Sequence, residues 1–210
     1  AYADFLEQRL EVSPDRSDLR FRLVKAYYAL GQDADAEQDF KTLVAGLPPE
    51  EVSTRLLELQ RYLRSIDRID AAAPSLESYV RSHPTRLDVA RELAEIYADG
   101  RATGAIDALV RALSASEAEV SEVIDLAEFL VSRDFLQPAR VLVTAKLAIE
   151  PKQFELGLLL VDILGKMGES SAAEQQIALS RELADTSPRY ARWLEVTVAS
   201  HRRLETLTGF

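Results

Sequence analysis

The stretch from Leu93 to Leu113, LAEIYADGRATGAIDALVRAL, decides the fold. Leu93 and Tyr97 stand four apart, Gly100 interrupts, and Ala105 and Leu109 again stand four apart. An apolar pair at i, i+4 is one face of a helix. A glycine just after such a stripe reads as a helix stop. The stretch is therefore predicted to be two short helices joined by a tight turn at Gly100. The pattern recurs along the whole chain. Ala36, Ala72, Ala105, Ala139 and Ala173 follow one another at 36, 33, 34 and 34 residues, and four residues after each stands Phe40, Leu76, Leu109, Val143 or Ile177. Upstream, Leu23, Leu59, Leu93, Leu126 and Leu160 keep the same phase, with Tyr27, Leu63, Tyr97, Leu130 and Leu164 four residues on. The breakers between the stripes are Gly31-Gln32-Asp33, Asp67, Gly100, Asp134 and Gly168-Glu169.

Self-similarity at this period indicates stacked helix pairs. Pro14, Pro48, Pro84, Pro151 and Pro188 mark joints between pairs. A small residue in a stripe lets a neighbouring helix approach closely, so Ala105 and Ala139 are expected to be buried at crossings. No segment keeps the period-2 alternation of a strand. The fold class is all-α, with eleven or twelve helices expected.

These residues resemble the tetratricopeptide repeat family. The likeness is carried by Leu23-Val24, Tyr27-Tyr28, Gly31, Ala36, Phe40 and Pro48 in the first full repeat. Leu93-Ala94, Tyr97, Gly100, Ala105, Leu109 and Ala112-Leu113 carry it in the third, Leu126-Ala127, Leu130, Ala139, Val143, Leu147 and Pro151 in the fourth, and Leu160, Leu164, Gly168, Ala173 and Ile177 in the fifth. The second departs from the pattern: Gln60 replaces a small residue, and Pro74 falls inside the second helix, marking a late start or a kink. The resemblance implies one α-solenoid with a right-handed superhelical turn. Its helix-pair repeats are expected at 14–48, 49–84, 85–117, 118–151 and 152–187. Residues 1–13, with Phe5, Leu6, Leu10 and Val12, read as the second helix of a truncated repeat. Residues 188–210 read as a capping helix, with Trp193 shielding the last core. The chain begins without Met, and the expectation is a segment of a longer protein.

Composition narrows the chemistry. The 210 residues carry 35 acidic and 25 basic side chains, a net charge of -10. That balance argues against general phosphate-backbone binding. Cysteine is absent, which excludes disulfides, thiolate metal sites and cysteine nucleophiles. The two histidines, His83 and His201, lack companions at ligand spacing, so no metal and no cofactor are expected. Apolar runs such as Leu158–Val161 are far too short for a membrane span. Arginine outnumbers lysine 20 to 5, which fits a GC-rich bacterial genome; cytoplasm and periplasm stay open.

By resemblance, the first helix of each pair lines a concave groove. Its groove-facing positions are Asp18, Phe21, Arg22, Lys25 and Tyr28 in the first repeat, and Leu57, Glu58, Arg61 and Arg64 in the second. Asp88, Arg91, Glu92 and Glu95 follow in the third, Ile124, Asp125, Glu128 and Val131 in the fourth, and Leu158, Leu159, Asp162 and Lys166 in the fifth. The early groove is basic and aromatic, the late groove acidic and aliphatic. The expected partner anchor is Phe21, Arg22, Lys25, Tyr28, Arg61 and Arg64, taking an acidic or amphipathic segment. The alternative for Phe21 and Tyr28 is packing against the first helix, and for the charges, plain solvation. Heat-shock chaperone carboxylate clamps use groove asparagines, and the chain has none.

The function expected is a non-catalytic protein-interaction scaffold, with the periplasmic segment of a bacterial polysaccharide-export or pilus-assembly machine as the alternative. An enzyme is disfavoured for want of a nucleophile–base pair. Nucleic-acid binding through Arg61, Arg64 and Arg68 is opposed by the net charge. Carboxylate pairs such as Glu92/Glu95 and Asp125/Glu128 read as solvated charges on exposed helices.

Overall fold

A computed structural model describes residues 2–114, 116–184 and 187–208, the side chains at 201 and 204–208 excepted. His201 and the last residues of the expected cap thus lie outside the described side chains. Among the described residues run twelve α-helices and no strand. They are α1 Tyr2–Val12, α2 Ser17–Leu30, α3 Asp33–Val44, α4 Pro49–Ser65, α5 Ala73–Ser82, α6 Leu87–Asp99, α7 Thr103–Leu113, α8 Val120–Ser132, α9 Leu136–Ile149, α10 Phe154–Lys166, α11 Ser170–Ala184 and α12 Pro188–Thr208. No helix among the described residues is long and apolar enough to cross a membrane.

The helices pack as two compact units, Ala1–Ser82 and His83–Phe210, whose boundary falls beside the Pro84 joint. Unit 1 holds α1 and the pairs α2/α3 and α4/α5. Unit 2 holds α6/α7, α8/α9 and α10/α11, followed by α12. In unit 2 each first helix packs on its own partner and on the next first helix, and α12 packs on both α10 and α11.

The turn inside each pair is built the same way five times. One residue takes a left-handed backbone: Gly31 (φ 76°), Asp67 (58°), Arg101 (52°), Asp134 (65°) and Gly168 (74°). The next residue's N–H reaches back to a carbonyl five residues earlier. The bonds are Gln32 to Tyr27 (3.0 Å), Arg68 to Leu63 (2.9 Å), Ala102 to Tyr97 (2.8 Å), Phe135 to Leu130 (2.9 Å) and Glu169 to Leu164 (2.9 Å). These are Schellman closures, which satisfy carbonyls a helix end otherwise orphans. The acceptors are the five residues of the second apolar set, so one position both packs and caps. In the third pair the left-handed residue is Arg101; Gly100 stays in the right-handed region at φ −76°. The helix stops where the sequence predicts, with Gly100 as its C-cap, and only the left-handed residue lies one position further on.

The leucines of the first stripe are all buried, as are Phe40, Leu76, Leu109, Val143 and Ile177. Ala36, Ala72, Ala139 and Ala173 are buried too, but Ala105 is only half-buried. In α7 the inner stripe is Ile106, Leu109, Val110 and Leu113. Burying Ile106 removes far more apolar area than burying Ala105, and the helix is turned accordingly. At Pro74 the sequence allowed a late start or a kink. The structure has the late start: a 3₁₀ turn, Ile69–Ala72, precedes α5, and Pro74 sits in its first turn, where a missing N–H costs nothing.

Candidate functional site

In unit 1 the face carried by α2 is closed. Phe21 is 4% exposed and Tyr28 0%, so neither is available as the exposed anchor that the sequence suggested. Nor do they join the cluster against α1, which is made by Ala3, Leu6, Leu10, Leu19 and Leu23 with Ala26 and Tyr27 packed on it. Phe21 lies under two cations instead, Lys25 Nζ at 4.2 Å and Arg55 Cζ at 5.2 Å from the ring centroid. Tyr62 of α4 donates its hydroxyl to the Lys25 carbonyl at 3.0 Å. Arg68 donates to the Tyr28 carbonyl and holds Asp33 in a two-pronged pair at 2.8 and 2.9 Å. Burial pushes the Tyr28 phenol up to about 12. The Ser75 side chain stands near that hydroxyl, but no hydrogen bond of normal geometry satisfies it.

The four basic members of the predicted anchor stay at the surface or partly so. Lys25 is engaged by Phe21 and by the Tyr62 ring, 5.6 Å away. Arg22, Arg61 and Arg64 are exposed or half-exposed. Arg61 bends back to the Leu57 carbonyl at 3.3 Å.

Unit 2 keeps an open face. A cleft of about 410 Å³ lies between α8, α10 and α12. α8 contributes Ile124 and Glu128. α10 contributes Glu155, Leu158, Leu159, Val161, Asp162 and Gly165, and α12 contributes Trp193, Val196, Thr197 and Ser200. Each helix thus turns positions three, four or seven apart to the same space, the spacing of a single helical face. The reason α10 reaches both ways is its composition. Its sequence FELGLLLVDILGK is apolar on almost every side, and Phe154, Leu156, Gly157, Leu160, Val161, Ile163 and Leu164 are buried in the core. Leu158 and Leu159 remain half-exposed at the cleft.

The third wall is fixed by aromatic stacking. Tyr190 of α12 stacks on Phe154 of α10, ring centroids 4.3 Å apart and 17° from parallel. Trp193 follows one turn on and packs, with Leu158 and Leu183, against the cluster of Phe154, Val161, Ile177, Ala184 and Leu194. Arg189 lies over the Trp193 ring at 4.1 Å. Of the acidic side chains on the lining, Asp162 is paired with Lys166 at 2.6 Å. Glu128 and Glu155 have no such partner among the described residues.

Helical phase in the sequence puts Ile124, Glu128, Leu158, Leu159 and Asp162 on the groove face, and the structure brings those five into one cleft. Sequence reasoning misses Glu155, Val161, Gly165 and the wall of α12. A signal for the glycine exists: in repeat phase Gly165 falls where α2 has Tyr28.

No protein-family profile and no curated protein matches the chain. Among solved structures, the chain is similar to the C-terminal part of a TPR repeat-containing protein from Cytophaga hutchinsonii. The identity is 14%, over 99% of this chain and 84% of that one, with a TM-score of 0.49. It is also similar to a point mutant of MamA (15% identity, 80% of this chain and 97% of that one, TM-score 0.37) and to yeast Tom70 (15%, 95% and 43%, TM-score 0.41). The tetratricopeptide-like fold itself rests on this chain's own helix pairs, stripes and five repeated turns.

Proposed function

We propose that this protein is a non-catalytic protein-interaction scaffold, and that a helix or peptide of its partner seats apolar side chains in the α8–α10–α12 cleft. The observation that carries this reading is the convergence of three helical faces on one space of about 410 Å³ that includes the chain's single tryptophan. A volume of that size admits two or three large apolar side chains, and recessed aromatic and aliphatic walls are where interface energy concentrates. The lining supplies Leu158, Leu159, Ile124 and Trp193 for that purpose. On α2 the equivalent aromatics Phe21 and Tyr28 are buried and present no exposed anchor.

Site-specific photo-crosslinking tests this. A photoreactive side chain at Leu159 is expected to give a discrete adduct with one partner, and the adduct is expected to vanish when Leu158→Asp is added to a chain still helical by circular dichroism. The same group at Arg22 is expected to give none. An adduct from position 22 with silence at 159 contradicts the proposal.

A further inference from the structure

We infer that the cleft selects a basic segment: an amphipathic stretch whose lysines or arginines meet Glu128 and Glu155 while its apolar side chains fill the floor. The inference rests on the scaffold reading and adds the chemistry of the occupant. Three carboxylates line the cleft: Glu128 of α8 and Glu155 and Asp162 of α10. Lys166 neutralises Asp162 at 2.6 Å, and Arg189 is engaged over the Trp193 ring at 4.1 Å. Two carboxylates on different helices remain uncompensated. Both are exposed now and well hydrated. A segment lying across Leu158 and Leu159 strips water from them. Desolvating a carboxylate without a cation is costly, and a lysine or arginine at the rim removes that cost. An acidic segment adds repulsion to the same loss. The net charge of -10 acts in the same direction at longer range, drawing cations toward the molecule.

The reporter is built in, because Trp193 is the only tryptophan. Two designed peptides of about 18 residues, free of tryptophan, share one leucine face at i, i+3, i+4 and i+7 spacing. One carries lysines on its polar face and the other glutamates. Each is titrated into the full chain while Trp193 emission is followed. The lysine peptide is expected to bind about tenfold tighter at roughly 0.05 M salt, the worth of two or three partly exposed ion pairs. That preference is expected to shrink at roughly 0.5 M salt, within the reach of screening. The double variant Glu128→Lys with Glu155→Lys is expected to reverse the order of the two peptides. Equal binding, or tighter binding of the glutamate peptide to the unmodified chain, overturns the charge selection and leaves the scaffold reading standing. A lysine preference that survives the double reversal also overturns it, by placing the charge contacts elsewhere. No change in Trp193 emission with either peptide overturns both.

Discussion

α2 in unit 1 and α10 in unit 2 hold equivalent places in the repeat, and they use those places in opposite ways. Leu23 corresponds to Leu160, 137 residues on, so Phe21, Arg22, Lys25 and Tyr28 correspond to Leu158, Leu159, Asp162 and Gly165. In α2 the aromatic at the last of these positions is wholly buried, and the lysine covers Phe21. In α10 the same four positions line a cleft. Tyr28 is wholly buried in one unit, and its counterpart Gly165 lies at the cleft in the other. The repeat thus supplies a fixed set of positions, and the side chains at them, together with their neighbours on other helices, set whether they pack inward or line a recess.

Substitutions can break or sharpen this contrast. The largest effect is expected for Tyr28→Ala. Truncating a fully buried aromatic costs about 3–5 kcal/mol, read as a fall in the denaturant midpoint of the chain. A loss below about 1 kcal/mol would mean that Tyr28 is not a packing residue, since even modest core deletions exceed that. Next comes Gly165→Phe, which puts a ring where α2 has one. The lysine-faced peptide is expected to bind at least about tenfold more weakly, as for loss of a hot-spot contact. Folding stability is expected to hold, because glycine is a poorer helix former than phenylalanine. Unchanged binding would separate the cleft from the glycine.

A smaller effect tests the turns. Arg101 holds a left-handed backbone that costs a side-chain-bearing residue about 1–2 kcal/mol. Arg101→Gly is therefore expected to stabilise unit 2 by about 1 kcal/mol. Gly31→Ala is expected to destabilise unit 1 by a similar amount. Thermal melts of both variants check the pair, and a destabilised Arg101→Gly would show that the arginine side chain, not the backbone, matters there.

The smallest effect at neutral pH is expected for Tyr28→Phe. Its hydroxyl is buried without a hydrogen bond of normal geometry, so removing it is neutral or slightly stabilising, within about 1 kcal/mol. The variant separates in alkali. Burial raises the phenol to about 12 in the folded chain, above its ordinary value of 10.0. The stability held by the neutral phenol is complete below pH 10 and is lost as pH rises toward 12. Stability followed across that window is expected to fall more steeply for the wild type than for Tyr28→Phe. Parallel curves would contradict the burial of that hydroxyl in the folded state.

Much of the fold is legible in the sequence because it is written locally. The i, i+4 stripes mark both helices of every pair, and the residues Tyr27, Leu63, Tyr97, Leu130 and Leu164 sit where a helix must close. The register within a helix is less legible. Ala105 and Ile106 compete for one inner position, and packing chooses the larger. The left-handed turn at Arg101 is hidden by a glycine one residue too early. The site is half legible. Groove-facing positions in α8 and α10 follow from helical phase, and five of them line the cleft. Which of the equivalent faces is filled does not follow from phase. The closure of α2 depends on Arg55 and Tyr62, 34 or more residues away in the chain, and the opening of α10 depends on a wall supplied by α12.

Hydrogen exchange of the full chain, with and without the lysine-faced peptide, tests most directly whether the cleft rather than the α2 face receives the partner. Slowed exchange is predicted in α8, α10 and the described part of α12, with α2 and α4 unchanged. Slowed exchange in α2 and α4, with α8 and α10 unchanged, would place the binding face in unit 1 and contradict the assignment.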